Sequence, residues 1–399
     1  MTFAVFLLAY TLSQFFRSFL AVIAPELAAE LALGPQALGN MQAWWIAGFV
    51  VAQFPVGWAL DSIGPRRAVS FAMGAAVIGA VLFANASSAF ELDCAMALIG
   101  IGCAPIYMGA VYIFGRVNRP EQFALLCSWL LGLGSAGNLL ASSPLAWSAQ
   151  TFGWRETMLG IATASVILAI LVFAAIKDPP KLPRDHEGPR ALAAIIDIIS
   201  IRSLWPILPL IAVGYAVMLA ERGLWAGPYF AEVHGLGPVE RGNALFVMAL
   251  AMSAGAMIYG PLDRIFNTRK WVVLPGSLIT AAAFILLALA APSLGTAIAL
   301  IAVIGACGMT YGVLMAHARA FFPDRILGRG ITLMNVLFIG GAGILQPISG
   351  AIVAHLTMTG STPAAAYSAI HLLFGVLLLA ASAIYLLSRD MPPQTILRL

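Results

Sequence analysis

The chain has 399 residues, 61% of them hydrophobic and only 10% charged, with a mean hydropathy of +0.95. That balance excludes a soluble domain and indicates a polytopic membrane protein. The net charge of +4 comes from basic loops and gives no sign of nucleic-acid binding, while the four cysteines sit in apolar runs without CxxC spacing, which excludes a disulfide framework or a zinc knuckle.

A helix crossing ~30 Å of hydrocarbon needs about 20 apolar residues. Runs of that length, set apart by polar breaks rich in Gly and Pro, recur twelve times: 3–27, 37–60, 67–86, 91–114, 123–148, 157–176, 204–230, 243–262, 271–291, 296–321, 330–355 and 366–387. The first run is too long for the apolar core of a signal peptide and is expected to stay in the mature protein. It carries Arg17 near its middle, and a guanidinium at mid-bilayer costs roughly 2.5–3.5 kcal/mol on insertion scales, so it marks a functional site. The seventh run repeats the device with Arg222, and Pro228 follows it much as Pro25 follows Arg17. Two cations facing one cavity would make an anion site.

Alternate loops differ sharply in charge. One side holds seventeen of the 21 Lys and Arg residues, the other only Arg155 and Arg241, and the remaining two are Arg17 and Arg222. The positive-inside rule then puts both termini in the cytoplasm and supports an even number of crossings. The longest polar break divides the chain into an N-terminal six-helix bundle over 1–176, a linker over 177–203 and a C-terminal bundle over 204–399. Within the linker, Leu192, Ile195, Ile196, Ile199 and Leu204 follow helical spacing, either as a surface helix or as the start of the seventh span.

The halves are related by an offset of about 203 residues. Tyr107 maps to Tyr311, Cys103 to Cys307, Pro120-Glu121 to Pro323-Asp324, Pro144 to Pro347 and Asp61 to Asp263. Glycines on the fifth run (Gly132, Gly134, Gly137) and the eleventh (Gly340, Gly341, Gly343) read as close-packing surfaces.

Between the second and third spans the chain reads Gly57-Trp58-Ala59-Leu60-Asp61-Ser62-Ile63-Gly64-Pro65-Arg66-Arg67. Gly57 is expected to admit a neighbouring helix, Asp61 to sit against a helix dipole, and Gly64 to turn the chain before two surface cations. The counterpart between the eighth and ninth spans is Gly260-Pro261-Leu262-Asp263-Arg264, followed by Arg269-Lys270. With twelve spans and a duplicated loop of the form GxxxDxxGxRR, the sequence resembles the major facilitator superfamily over its whole length, and Gly153-Trp154-Arg155 adds to the likeness. The resemblance implies an all-α membrane protein of two pseudosymmetric six-helix bundles that expose a central site alternately to each side. Gly57, Asp61, Arg66, Arg67, Asp263 and Arg264 would be gate residues.

Arg17 with Pro25 eight residues later looks like the first helix of the organophosphate:phosphate antiporters and the anion:cation symporters, where that arginine binds the anionic group of the substrate. Arg222 occupies the place of the partner arginine on the seventh helix. Guanidinium forks suit carboxylate or phosphate, though each arginine could instead pair with Glu221 or a backbone carbonyl. The organophosphate antiporters carry a lysine where this chain has Gln53, which favours a carboxylate over a phosphate ester. Glu221, the only carboxylate near the middle of a predicted helix, is the candidate for proton coupling. Gln14, Gln53, Tyr107, Asn138, Tyr215, Tyr311 and Asn335 are the further substrate-binding candidates, with Gln346 behind them, and His317 reads as a solvated boundary histidine.

The expected activity is proton-coupled transport of a small organic anion by a monomer in the cytoplasmic membrane, with no cofactor. Efflux of a hydrophobic metabolite or drug remains open, although Met96 stands where drug/proton antiporters place an arginine. Copper uptake through Cys103, Cys307, Met248 and Met252 is opposed by the two arginines, and no metal site is expected. A non-transporting assembly factor is the third alternative. No HExxH, nucleophile triad or Walker A loop is present, which argues against an enzyme.

Overall fold

The computed structural model describes residues 1–117, 120–179, 200–322 and 327–393. The expected surface helix on Leu192, Ile195, Ile196 and Ile199 lies outside the described residues, as do Pro323-Asp324 and the side chains of Asp61, Pro120 and Glu121.

The described chain is helical throughout. The first span is a bent pair, α1 (Thr2–Ser18) and α2 (Leu20–Leu31), turned by 47°. Then follow α3 (Pro35–Ser62), α4 (Pro65–Asn85) and α5 (Ala89–Val117). The fifth span is broken into α6 (Pro120–Gly134), α7 (Ala136–Leu140) and α8 (Ser143–Phe152), and α9 (Trp154–Ala175) is the sixth. The seventh is α10 (Leu208–Ala220), a π-helical turn (Glu221–Trp225) and α11 (Ala226–Glu232). The eighth and ninth are α12 (Pro238–Ile265) and α13 (Lys270–Leu289). The tenth divides into α14 (Leu294–Cys307) and α15 (Tyr311–Arg319), and α16 (Leu327–Met358) and α17 (Pro363–Tyr385) complete the chain. Among the described residues ten spans are continuous enough and apolar enough to cross a bilayer, and the bent pair makes an eleventh.

Proline accounts for much of the irregularity. Pro25 has no N–H to give the Ala21 carbonyl, and Pro228 withholds one from Leu224 in the π-helical turn. Large apolar side chains such as Phe54, Trp58, Phe71 and Phe90 stand exposed, as expected of helices whose outer surface meets lipid.

Two compact units emerge from the packing. The first combines Met1–Pro183 with Glu221–Phe246 and Gln346–Pro363, and the second combines Arg184–Ala220, Val247–Leu345 and Ala364–Leu399. The duplication is visible as matched close contacts within them. A Cβ on Gly137 would lie 2.0 Å from the Thr11 carbonyl oxygen, and one on Gly341 2.0 Å from that of Ala212. Both glycines therefore let the fifth helix of a repeat touch the backbone of the first. Gly132 and Gly340, expected to do the same, meet open space.

Candidate functional site

The first unit holds both intramembrane arginines. Arg222 lies in the π-helical turn and is 1% exposed, with Glu221 beside it at 0%. The Nη2 of Arg222 donates to the Asn138 main-chain oxygen at 2.7 Å and to Ser142 Oγ at 3.0 Å. That carbonyl is available because the fifth span breaks between α7 and α8. The Ser142 N–H, which would serve it in an unbroken helix, bonds Leu139 O instead. Ser142 Oγ also donates to Asn138 O at 2.8 Å, and Ser18 Oγ donates to Asn138 Oδ1 at 2.6 Å. Arg222 thus takes the backbone-carbonyl alternative rather than Glu221, and its Nε and Nη1 meet no acceptor among the described residues.

Arg17 is half-buried and lies over two rings, Trp45 at 5.6 Å and Phe49 at 5.5 Å, which stack on each other 5.3 Å apart. Its main-chain oxygen accepts from Gln42 Nε2 at 3.3 Å. The same oxygen lies 3.4 Å from the Cβ position on Gly223, the residue after Arg222. Gln346 is fully buried beside the same glycine, with Ser349 Oγ donating to its carbonyl at 2.9 Å. Sequence reasoning named Asn138 and ranked Gln346 low. It missed Ser142, Gln42, Trp45 and Phe49, whose residue types are too common in membrane helices to stand out.

The tyrosines form two matched pairs, one per unit. Tyr10 and Tyr107 have ring centroids 5.5 Å apart at 41°, and Tyr215 and Tyr311 are 5.6 Å apart at 46°. Gln14 Nε2 donates to Tyr10 at 2.7 Å, so Gln14 and Tyr107 meet through a residue the sequence analysis overlooked. In the second unit Tyr311 donates to Asn335 Oδ1 at 3.2 Å and packs against Phe338 at 4.3 Å. Gln53 is half-buried on α3 and joins neither pair.

Gly57 and His317 depart from expectation. Gly57 has open space where its Cβ would be, so no helix among the described residues approaches it there; with Leu60, Tyr107, Met108, Val111 and Tyr112 it lines an open groove of about 370 Å³. Asp263 pairs with Arg269 Nε at 3.5 Å, while Arg264 is exposed beside it. His317 is buried rather than solvated, held by the Tyr385 hydroxyl at 2.6 Å and the Arg389 carbonyl at 2.9 Å.

The Arg66 backbone N–H donates to Asp178 Oδ1 (2.7 Å), its Nε donates to Phe173 O and its guanidinium lies 4.3 Å over the Phe173 ring, whereas Arg67 is exposed. The second loop has the same construction. Asp390, just past α17, accepts from the N–H groups of Arg269 (3.1 Å) and Lys270 (3.0 Å) and from the Thr268 hydroxyl. A carboxylate following the last helix of each repeat therefore caps the third. Burial raises the Asp390 pKa, but these hydrogen bonds outweigh it and hold the carboxyl below its ordinary value.

At the arginine-poor end, Arg241 is 3% exposed and binds Glu26 Oε1 at 2.5 Å and Val22 O at 2.9 Å. Glu30, one turn on from Glu26, holds Arg155 at 2.8 Å and the Trp154 indole at 2.6 Å.

The family model described as Major Facilitator Superfamily matches residues 6–240 and 190–398. The chain belongs to this superfamily. Its long apolar helices are those of a multi-pass membrane protein. Among curated proteins it is similar to the Probable galactarate/D-glucarate transporter GudP of Bacillus subtilis, 23% identical over 61% of this chain and 60% of the relative. It is also similar to the Nitrate/nitrite transporter NrtP of Nostoc punctiforme, 22% identical over 47% of this chain and 39% of the relative. The matched stretch thus spans less than two thirds of either. A bacterial homologue of the human lysosomal transporter Spinster, solved in an inward-facing and occupied conformation, shares the fold, with a TM-score of 0.80 at 18% identity over 97% of this chain and 96% of that one.

Proposed function

We propose that this superfamily member carries a small organic anion, a carboxylate in preference to a phosphate ester, by alternating access driven by protons. One observation carries the reading: Arg222 is almost wholly buried, fastened through Nη2 alone, with Nε and Nη1 left as unmatched donors. An uncompensated guanidinium is costly in such a place and an anion would match it. Arg17, held over the Trp45 and Phe49 rings, would supply the second cation. A group this enclosed is reached only when the surrounding helices part, as alternating access requires. The named substrates of the relatives, galactarate, D-glucarate, nitrate and nitrite, are anions, which supports the class.

Glu221, fully buried and next to Arg222 in the chain, is the group we assign to proton coupling. Asn138 positions Arg222. Gln14, Tyr107, Tyr215, Tyr311, Asn335 and Gln53 serve as secondary lining. Gly57, Asp61, Arg66, Arg67, Asp263 and Arg264 belong to the gates at the arginine-rich side. The working halves are residues 1–176 and 204–399, joined by 177–203, with both termini in the cytoplasm and the protein a monomer in the plasma membrane.

Counterflow in proteoliposomes tests the reading. Vesicles preloaded with galactarate, gluconate, nitrate or glycerol 3-phosphate are expected to take up the labelled carboxylate, and Arg222→Gln and Arg17→Gln to abolish uptake. Uptake unchanged in both variants would remove the anion site, and uptake of only the phosphate ester would overturn the carboxylate preference.

A further inference from the structure

Gln346 is 0% exposed, and neither its Nε2 nor its Oε1 meets a partner among the described residues. Gln42 is 1% exposed; its Nε2 is spent on the Arg17 carbonyl and its Oε1 is unmatched. The indole N–H of Trp45, also fully buried, is unmatched too. Burying a single amide without a hydrogen bond costs roughly 2–7 kcal/mol, depending on the reference state. Several such groups together imply that something polar meets them.

These amides converge on one point. The Cβ position of Gly223 lies 3.3 Å from Gln42 Nε2 and 3.8 Å from Gln346 Nε2. A side chain at 223 would therefore crowd two amide ends, one on α3 and one on α16. Gln346 is held firmly from behind. A Cβ on Gly39 of α3 would lie 2.7 Å from the Gln346 carbonyl, and the Trp225 indole donates at 2.8 Å to Ser349 Oγ, which in turn bonds that carbonyl.

We infer that Gln42 and Gln346, whose amide ends meet over the bare backbone of Gly223, form an uncharged subsite that binds hydroxyl groups of the cargo, so that the site takes hydroxylated carboxylates in preference to bare ones. The inference rests on the anion-transport reading and names the part of the anion which the arginines do not bind. The chemistry follows from the donor and acceptor inventory. A carboxylate oxygen only accepts, so it cannot serve the unmatched Oε1 atoms and would be repelled by them. A hydroxyl both donates and accepts, and can meet an amide oxygen and an amide or indole N–H at once. A site built to bond a hydroxyl discriminates strongly against the analogue lacking it, because its own buried groups are then left unpaired.

Thermal stabilisation of the purified protein by two ligand pairs tests this: galactarate against adipate and gluconate against hexanoate, the members of each pair sharing a carbon skeleton and carboxylate count and differing only in hydroxyl groups. In at least one pair the hydroxylated anion is expected to bind on the order of tenfold or more tightly than its bare counterpart, from about one hydrogen bond. Gln346→Leu and Gly223→Ala are expected to bring the two members of that pair to within about threefold, while the ligand-free melting temperature of Gln346→Leu stays level or rises because an unmatched buried amide is gone. Should Gln346→Leu fold poorly, Gln42→Leu provides the same comparison. Equal binding within both pairs by the wild type, or a preference untouched in the variants, overturns the hydroxyl subsite while leaving the anion reading intact. A falling ligand-free melting temperature with the preference retained assigns the amides to internal water and also overturns it. If no anion stabilises the wild type, and Arg222→Gln behaves like it, both readings fall.

Discussion

Arg222 shows how one side chain can be tied and still available. Its Nη2 bonds are to a carbonyl released by a helix break and to a hydroxyl that also bonds that carbonyl, so the guanidinium is oriented without being neutralised. Arg222→Leu leaves Asn138 O its bond from Ser142 but strips the guanidinium from beside the buried Glu221. Its melting temperature is expected to fall, by about 3–5 kcal/mol of stability, and anion stabilisation disappears, a loss of about 2–5 kcal/mol. Arg222→Lys should also lose binding, because an ammonium cannot bond Asn138 and Ser142 while presenting planar donors elsewhere. The arginines could be read from the sequence because a charge in an apolar run contrasts with everything around it. Asn138 was named for its amide, yet its main-chain oxygen is what Arg222 uses, and no residue code announces a freed carbonyl. Ser142 and Gln42 were hidden for a related reason: hydroxyls and amides are inexpensive enough in helices that their presence alone says little.

At the level of whole helices, the twelve apolar runs and their loops were legible, while the breaks inside them were not. Hydropathy counts residues and is blind to whether the hydrogen-bond ladder continues, so the fifth run gave no warning of three helices, nor the seventh of a π-helical turn. Prolines gave partial notice. Pro25 leaves Ala21 O without its usual donor, and Gly227 of α11 lies so close that a Cβ there would fall 1.6 Å from that oxygen. Gly227→Ala meets rigid backbone and should cost about 1–3 kcal/mol or more from overpacking, read as a lowered melting temperature and poor recovery in detergent. Gly214, with only the Leu210 side chain near, supplies a mild control. The capping carboxylates allow a second test. Because the Asp390 pKa is held below 3.8, its contribution is fully present above that value and is lost as pH falls through the lowered one. Asp390→Asn should lower the melting temperature by a similar amount at about pH 7 and about pH 5, with the difference closing only in stronger acid.

For the molecule as a whole, duplication was the strongest signal in the sequence, and the side chains repeat it in detail. Tyr10–Tyr107 and Tyr215–Tyr311 match within 0.1 Å and a few degrees, a correspondence that one offset between residue numbers could only suggest. Function is less symmetric than the fold. Glu221 has no acidic counterpart beside Arg17, whose neighbours are Phe16 and Ser18, so proton coupling would act through one repeat only. Glu221→Gln is accordingly expected to keep counterflow, which needs no proton movement, and to lose net uptake driven by a pH gradient. Uptake by that variant that still follows the gradient would place coupling elsewhere.

The bend in the first span has a further effect on the transport cycle. Residues from the other half of the chain cover its backbone oxygens, Gly227 at that of Ala21 and the Arg241 side chain at that of Val22. Any motion that withdraws those residues must admit water to the elbow before the cargo can leave that way. Release at this end would then be a wetting event, and osmolytes that lower water activity should slow it more than they slow release at the opposite end.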